Sequence, residues 1–122
     1  MASTITNTGL KAVVDALVAD DVVKHLGWGT GSGQGATSTD LATAAAESRT
    51  DGTPSAVTTT TTDDTFRVVG TIVATATRAI TEVGIFGAAT GAVLRMYADF
   101  SVLNLATNDS ITFTIDTVFD QG

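Results

Sequence analysis

The chain has 122 residues, no cysteine, one histidine and a formal net charge of -7. That length sets one domain as the expectation, with enough surface buried on folding for a core that needs no staples. Without thiols, and with His25 as its one imidazole, the chain has no disulfide, no thiolate metal site and no multi-histidine site, and its acidity argues against nucleic-acid and anionic-membrane partners.

No apolar run approaches the ~20 residues of a membrane helix. The opening "MASTITNTGLKAVVDALVADD" has no basic region, and Lys11 and Asp15 interrupt its apolar segment, so it does not read as a secretory signal. The expectation is a protein that reaches its working site from the cytoplasm where it is made.

Residues 8–20 carry Leu10, Val13, Val14, Leu17 and Val18 at i, i+3, i+4, i+7 and i+8, which predicts an amphipathic helix. Asn7 or Thr8 would cap its first turn, and residues 1–7 would form a flexible arm. Next, "VVKHLGW" (22–28) reads as a short strand entering the glycine-rich loop 27–39. The alanine-rich stretch "TSTDLATAAAES" (37–48) reads as a second short helix, ended by a turn at Asp51–Gly52–Thr53–Pro54.

From residue 55 the hydrophobic period becomes two. Phe66, Val68, Ile72, Ala74 and Ala76 mark one face over 65–77. Leu94, Met96, Ala98 and Phe100 do so over 93–101, and Ile111, Phe113 and Ile115 over 111–119. Each segment predicts a half-buried strand. "AITEVGIFG" (79–87) is more continuously apolar and reads as a central strand, while "GAATG" and "NLATND" read as turns. Threonine is abundant, 24 residues, and the run Thr58 to Thr62 reads as an exposed strand. The whole predicts a single mainly-β domain over 1–122, an antiparallel β-sandwich with jelly-roll-like architecture, an N-terminal helix and a second short helix.

Five of the twelve glycines fall between Gly27 and Gly35. Gly31-Ser32-Gly33-Gln34-Gly35-Ala36 formally fits G-x-G-x-x-A, but that fingerprint works only in a βαβ unit, and period-two strands follow it. A P-loop needs a lysine after the glycines, and none is there. A tightly turned or pliable loop is the simpler reading. Ser32 lacks the G-x-S-x-G elbow, and His25 beside Leu26 and Trp28 reads as a packed strand residue. Asp20–Asp21 and Asp63–Asp64 sit at element ends. Asn104, Asn108 and Asp109 fit turn chemistry better than a calcium loop. No catalytic constellation, cofactor motif or metal-ligand set emerges.

Three segments stand in order: "ITNTGLKAVVDAL", then Gly29-Thr30-Gly31 with Ala36–Ala42 and Arg49, then "ITEVGIFGAATGAVLRMYADFSVLNLATNDSITFTIDTVF". The last contains Glu82, Gly84 and Phe86, Thr90-Gly91, Tyr97 and Phe100, and Asn108-Asp109 before Ile111. Together these resemble the small virion structural proteins of tailed phages. The resemblance covers most of the chain outside 50–65. It implies a jelly-roll-like domain without enzymatic residues, acting as a capsid decoration (cement) protein or a fibre-associated part.

Its expected partners are the major capsid protein and further copies of itself, as a dimer or trimer, on the capsid surface of the virion. On that expectation the arm from Ala2 to Asn7 and the glycine loop are mobile until assembly. The candidate interface residues are Thr4, Ile5, Trp28, Gly31, Gly33, Gly35, Tyr97 and Phe119, the aromatic ones as anchors. A tail, neck or fibre-base protein is the alternative. A β-sandwich binding carbohydrate or nucleotide is more remote, because most of the seven aromatic residues fall in phase with the core.

Overall fold

A computed structural model describes residues 2–121. Its elements are a helix α1 (Asn7–Asp20) and strands β1 (His25–Gly29), β2 (Thr50–Asp51), β3 (Thr53–Val57), β4 (Thr65–Val73), β5 (Arg78–Phe86), β6 (Leu94–Leu105) and β7 (Ser110–Val118). They form two antiparallel sheets, β2-β1-β5-β6 and β3-β4-β7. The fold is mainly β, as the alternation predicts, and β5 is central, between β1 and β6.

The helix follows its 3.6-residue stripe only in part. Leu10 and Val14 are buried and Leu17 and Val18 half-buried, but Val13 is 40% exposed. The cap is neither Asn7 nor Thr8. Thr6, in extended backbone, accepts a hydrogen bond from the Gly9 N–H at 3.2 Å, and the helix stops at Asp21, whose backbone is left-handed. The helix lies against β3 and β4 and delivers Val14 to the core.

Both sheets contribute to that core. Leu26, Trp28, Ile80, Val83 and Ile85 come from one, and Phe66, Val68, Ile72 and Phe113 from the other. Trp28 meets Phe113 across the sheets edge-on, with centroids 6.4 Å apart and planes at 82°. Burying side chains of this size contributes about 1.5–3 kcal/mol each. The result is a sandwich-like pair of sheets around one apolar interior.

Three local expectations are overturned. First, residues 37–48 form no helix. Their backbone groups bond elsewhere: Thr30 N–H reaches the Thr43 carbonyl at 2.9 Å, Ala45 N–H reaches Trp28 at 3.0 Å, and Ala44 forms a bridge with Gly29. Alanine's helix propensity is a weak preference that such contacts override.

Second, the threonine run is a turn and not a strand. The buried Asp64 carboxylate accepts N–H groups from Thr59 (2.9 Å), Thr60 (3.1 Å) and Thr61 (2.9 Å), and the Thr65 hydroxyl at 2.8 Å. Those backbone bonds hold the carboxyl well below the usual carboxylate range, burial opposing them.

Third, Asp51–Gly52–Thr53–Pro54 is not a turn closing a helix. Gly52 is the point where the chain leaves β2 in one sheet and enters β3 in the other. A Cβ there would lie 2.6 Å from Val68 Cγ1. Pro54 sits on β3, an edge strand, where its missing donor costs no ladder bond. Strand ends also move: β1 begins at His25 and not at 22, and the strand predicted over 65–77 ends at Val73.

Candidate functional site

The loop from Thr30 to Arg49 joins β1 to β2 and folds over the outer face of the β5 side of its sheet. Its anchor is Glu82, in mid-strand and fully buried. A register shift between Ile80 and Glu82 turns both Thr81 and Glu82 toward the loop. One carboxylate oxygen of Glu82 accepts the N–H groups of Gly31 (3.0 Å) and Thr43 (2.9 Å). The other accepts the Ala42 N–H (3.0 Å) and the Tyr97 hydroxyl (2.9 Å). Thr81 completes the contact by donating to the Gly31 carbonyl at 2.6 Å.

The glycines make that approach possible. Gly29 lies opposite Glu82 in the ladder, and a Cβ on it would run into the Thr43 carbonyl and the Glu82 carboxylate. A Cβ on Gly31 would lie 2.6 Å from that of Ala42. Convergent backbone N–H groups of this kind also bind phosphate. Here the anion they hold belongs to the chain itself.

Burial alone would raise the Glu82 carboxyl. The N–H groups of Thr43 and Ala42, the Tyr97 hydroxyl and the Gly31 N–H outweigh it and hold the group below its ordinary value. The same contact, added to burial, pushes Tyr97 up to about 12.

A second carboxylate fixes the returning end of the loop. Glu47 accepts the Trp28 indole N–H at 2.6 Å, the Thr75 hydroxyl at 2.6 Å and the Arg78 guanidinium at 2.8 Å. Arg78 foremost, against burial and aided by Thr75 and Trp28, lowers its carboxyl to about 2. At the Phe86 end of β5, Arg49 lies over the buried Phe86 ring, 3.4 Å from its centroid, and donates to the carbonyls of Ala88 (3.1 Å) and Gly91 (2.7 Å).

The candidate interface residues separate into three places. Gly31, Gly33 and Tyr97 come together: Gly31 and Tyr97 through Glu82, and Gly33 by donating its N–H to Asp99 at 3.1 Å. Gly35 continues the exposed tip, and a Cβ on Gly33 or Gly35 would meet nothing. Thr4 and Ile5 lie far along the chain from that tip, in the exposed arm, where the Ile5 carbonyl accepts from Gln121 at 2.8 Å. Phe119 is near that end, half-buried against the core, with its N–H on the Asp64 carbonyl.

Trp28 belongs to the interior at 1% exposure, so its ring offers no surface anchor. Of the glycine loop 27–39, expected to be pliable, Gly27–Gly29 belong to β1, and the rest is fastened at Gly31 by Glu82, at Gly33 by Asp99 and at Thr39, whose carbonyl accepts the Leu94 N–H at 3.1 Å. His25 faces Asp51 across β1 and β2 at 2.8 Å. Asn108 has a left-handed backbone and Asp109 accepts the Ala106 N–H at 2.8 Å, as turn residues do.

Sequence reasoning passes over Glu82, Glu47 and Asp64 as anchors. The available signal is Glu82 itself, an acid inside the apolar run "AITEVGIFG". A charge in a central strand demands donors, and the nearest unassigned donors are those of a glycine-rich loop.

Away from the loop, the sandwich is open along one side. β6 and β7 end their sheets there, and between them runs a groove of about 420 Å³ walled by Val83, Phe100, Leu103, Ile111, Phe113 and Ile115. Asp116 at its wall is engaged twice by Arg67, at 2.7 and 2.9 Å. Among the described residues no group of three or more His, Asp or Glu could hold a metal ion, and no helix is long and apolar enough to cross a membrane. Comparison with protein-family models, curated proteins and solved structures gives no match.

Proposed function

We propose that the chain is a structural protein of a tailed-phage particle, a decoration protein that binds the outer surface of the major capsid shell and stabilises it. One observation carries this reading: the most specialised group in the molecule, Glu82, has both carboxylate oxygens committed to the chain's own donors. It shapes a loop and leaves nothing to polarise a substrate. On this reading the chain performs no catalysis.

The loop so held presents a tip, from Ser32 to Thr39, with no charged side chain, on a protein of net charge -7. Docking through neutral, small residues avoids the desolvation cost of unpaired charge. The ordered resemblance of the three segments to phage virion proteins supplies the setting, a shell on which many weak sites add through symmetry and avidity. A jelly-roll-like sandwich belongs to the same reading. The chain's repeated passage between sheets, at Gly52, over 74–77 and over 106–109, supports it.

Gel densitometry of purified particles of the encoding virus tests the proposal. Decoration requires copies on the order of hundreds per particle. A dozen copies would mark a tail, neck or fibre-base component and overturn it, as would absence from the particle. Gly35→Asp should fold as the parent does and lose shell binding in co-sedimentation.

A further inference from the structure

The groove between β6 and β7 is apolar, and none of the described residues fills it. Its walls are the free edges of two strands, so an occupant in extended conformation could bond to the backbone of β7 while its side chains enter the groove. It must also be uncharged at the buried positions. Asp116 is already matched by Arg67, and any further charge there would be desolvated without a partner.

One exposed segment of this chain has that chemistry. Residues 2–6, Ala-Ser-Thr-Ile-Thr, are exposed throughout, carry no charge and end in three β-branched residues. Ile5 stands 39% exposed. Five extended residues span about 17 Å, close to the about 20 Å covered by residues 111–116 along β7. Thr6 is held as the cap of α1 by the N–H groups of Gly9 and Leu10, but before it the arm's tie to its own body is slight: the Gln121 amide donates to the Ile5 carbonyl, and the Ile5 side chain rests against Gly9. Two bodies of net charge -7 repel one another, and an uncharged arm entering a neutral groove meets least of that repulsion.

We propose that residues 2–6 of a second copy fill this groove, adding a strand to the free edge of β7 and seating Ile5 on Phe100, Leu103 and Phe113. Each copy gives one arm and receives one, an exchange that two copies close reciprocally. The proposal does not depend on capsid docking through the loop tip; it takes up Ile5 and the self-association that the resemblance to virion proteins implies.

The absence of cysteine permits a direct test on the full chain. Ile5→Cys and Leu103→Cys single variants, mixed and oxidised, should give a covalent pair joined through peptides containing positions 5 and 103 by mass spectrometry. Chains lacking residues 2–5 keep the Thr6 cap, so they should retain the parent circular dichroism and sediment as monomers. A parent that is already monomeric overturns the proposal. So does a truncated chain that stays oligomeric, or a double variant whose 5–103 disulfide forms within one chain at high dilution. Groove protection that appears only with a different protein present overturns it too.

Discussion

Gly29 in β1 lies opposite Glu82 in β5, and the side chain missing from the first gives room for the carboxylate of the second beneath the loop. The glycine-rich segment and the single acid of the central strand are two halves of one device.

The glycines of the loop should therefore differ sharply in tolerance. A Cβ on Gly31 meets the Ala42 Cβ at 2.6 Å and the Thr43 backbone nitrogen at 2.9 Å, atoms that cannot yield without moving the loop. A Cβ on Gly35 meets nothing, and its backbone is not left-handed. Gly31→Ala should cost about 1–3 kcal/mol, as overpacking does. Gly35→Ala should stay within about 0.5 kcal/mol of the parent. Urea denaturation measures both, and equal losses would show that the loop is not held as described.

Glu82→Gln keeps the shape and removes half the acceptors. An amide nitrogen placed against either pair of donors leaves buried groups unpaired, at about 1–3 kcal/mol each. The variant should lose about 2–6 kcal/mol of stability, and amide exchange should quicken at Gly31, Ala42 and Thr43 ahead of the core strands. Tyr97→Phe removes one donor and leaves three, so it should cost only about 1 kcal/mol. Hydrogen-exchange mass spectrometry distinguishes local release of the loop from general loosening.

What was legible in the sequence follows from the range of the forces involved. Leu10 and Val14 on the helix, and Phe66, Val68, Ile72 and Phe113 on the strands, are set by local periodicity, and each is buried where that period places it. Residues 37–48 and 58–62 depart from their local preference because their backbone groups find distant partners, the Glu82 carboxylate and the backbone of Trp28 and Thr30 for the first and the Asp64 carboxylate for the second. Neither local propensity nor hydrophobic period registers a carboxylate that competes for N–H groups. Trp28 illustrates the same limit, since its indole N–H is satisfied in the interior by Glu47, distant in sequence.

Acid should weaken the protein through these same carboxylates. The Glu47 carboxyl ordinarily titrates at 4.5 and falls to about 2 in the fold, with Arg78 the main cause. A depressed value means that the unfolded chain binds the proton more readily, so the contribution is complete above about 4.5 and is lost as pH falls toward 2. Glu82, also lowered, acts in the same sense. Thermal melts from pH 7 downward should hold steady and then drop within that window. Glu47→Gln should begin less stable at pH 7 and lose less across the same interval. Parallel curves for parent and variant would remove Glu47 from the account.

The helix offers a last contrast, between adjacent valines. Val14 is fully buried against the sheets, whereas Val13, on the predicted apolar stripe, is 40% exposed. Val14→Asp places an unpaired carboxylate in the core, a change that costs several kcal/mol even after the group takes up a proton. It should unfold the domain or leave it marginal at room temperature. Val13→Asp should change stability by no more than about 0.5 kcal/mol, because water reaches the new group. Urea midpoints of the two variants decide the matter. A pair that behaves alike would mean that α1 does not pack on β3 and β4 through the Leu10–Val14 face.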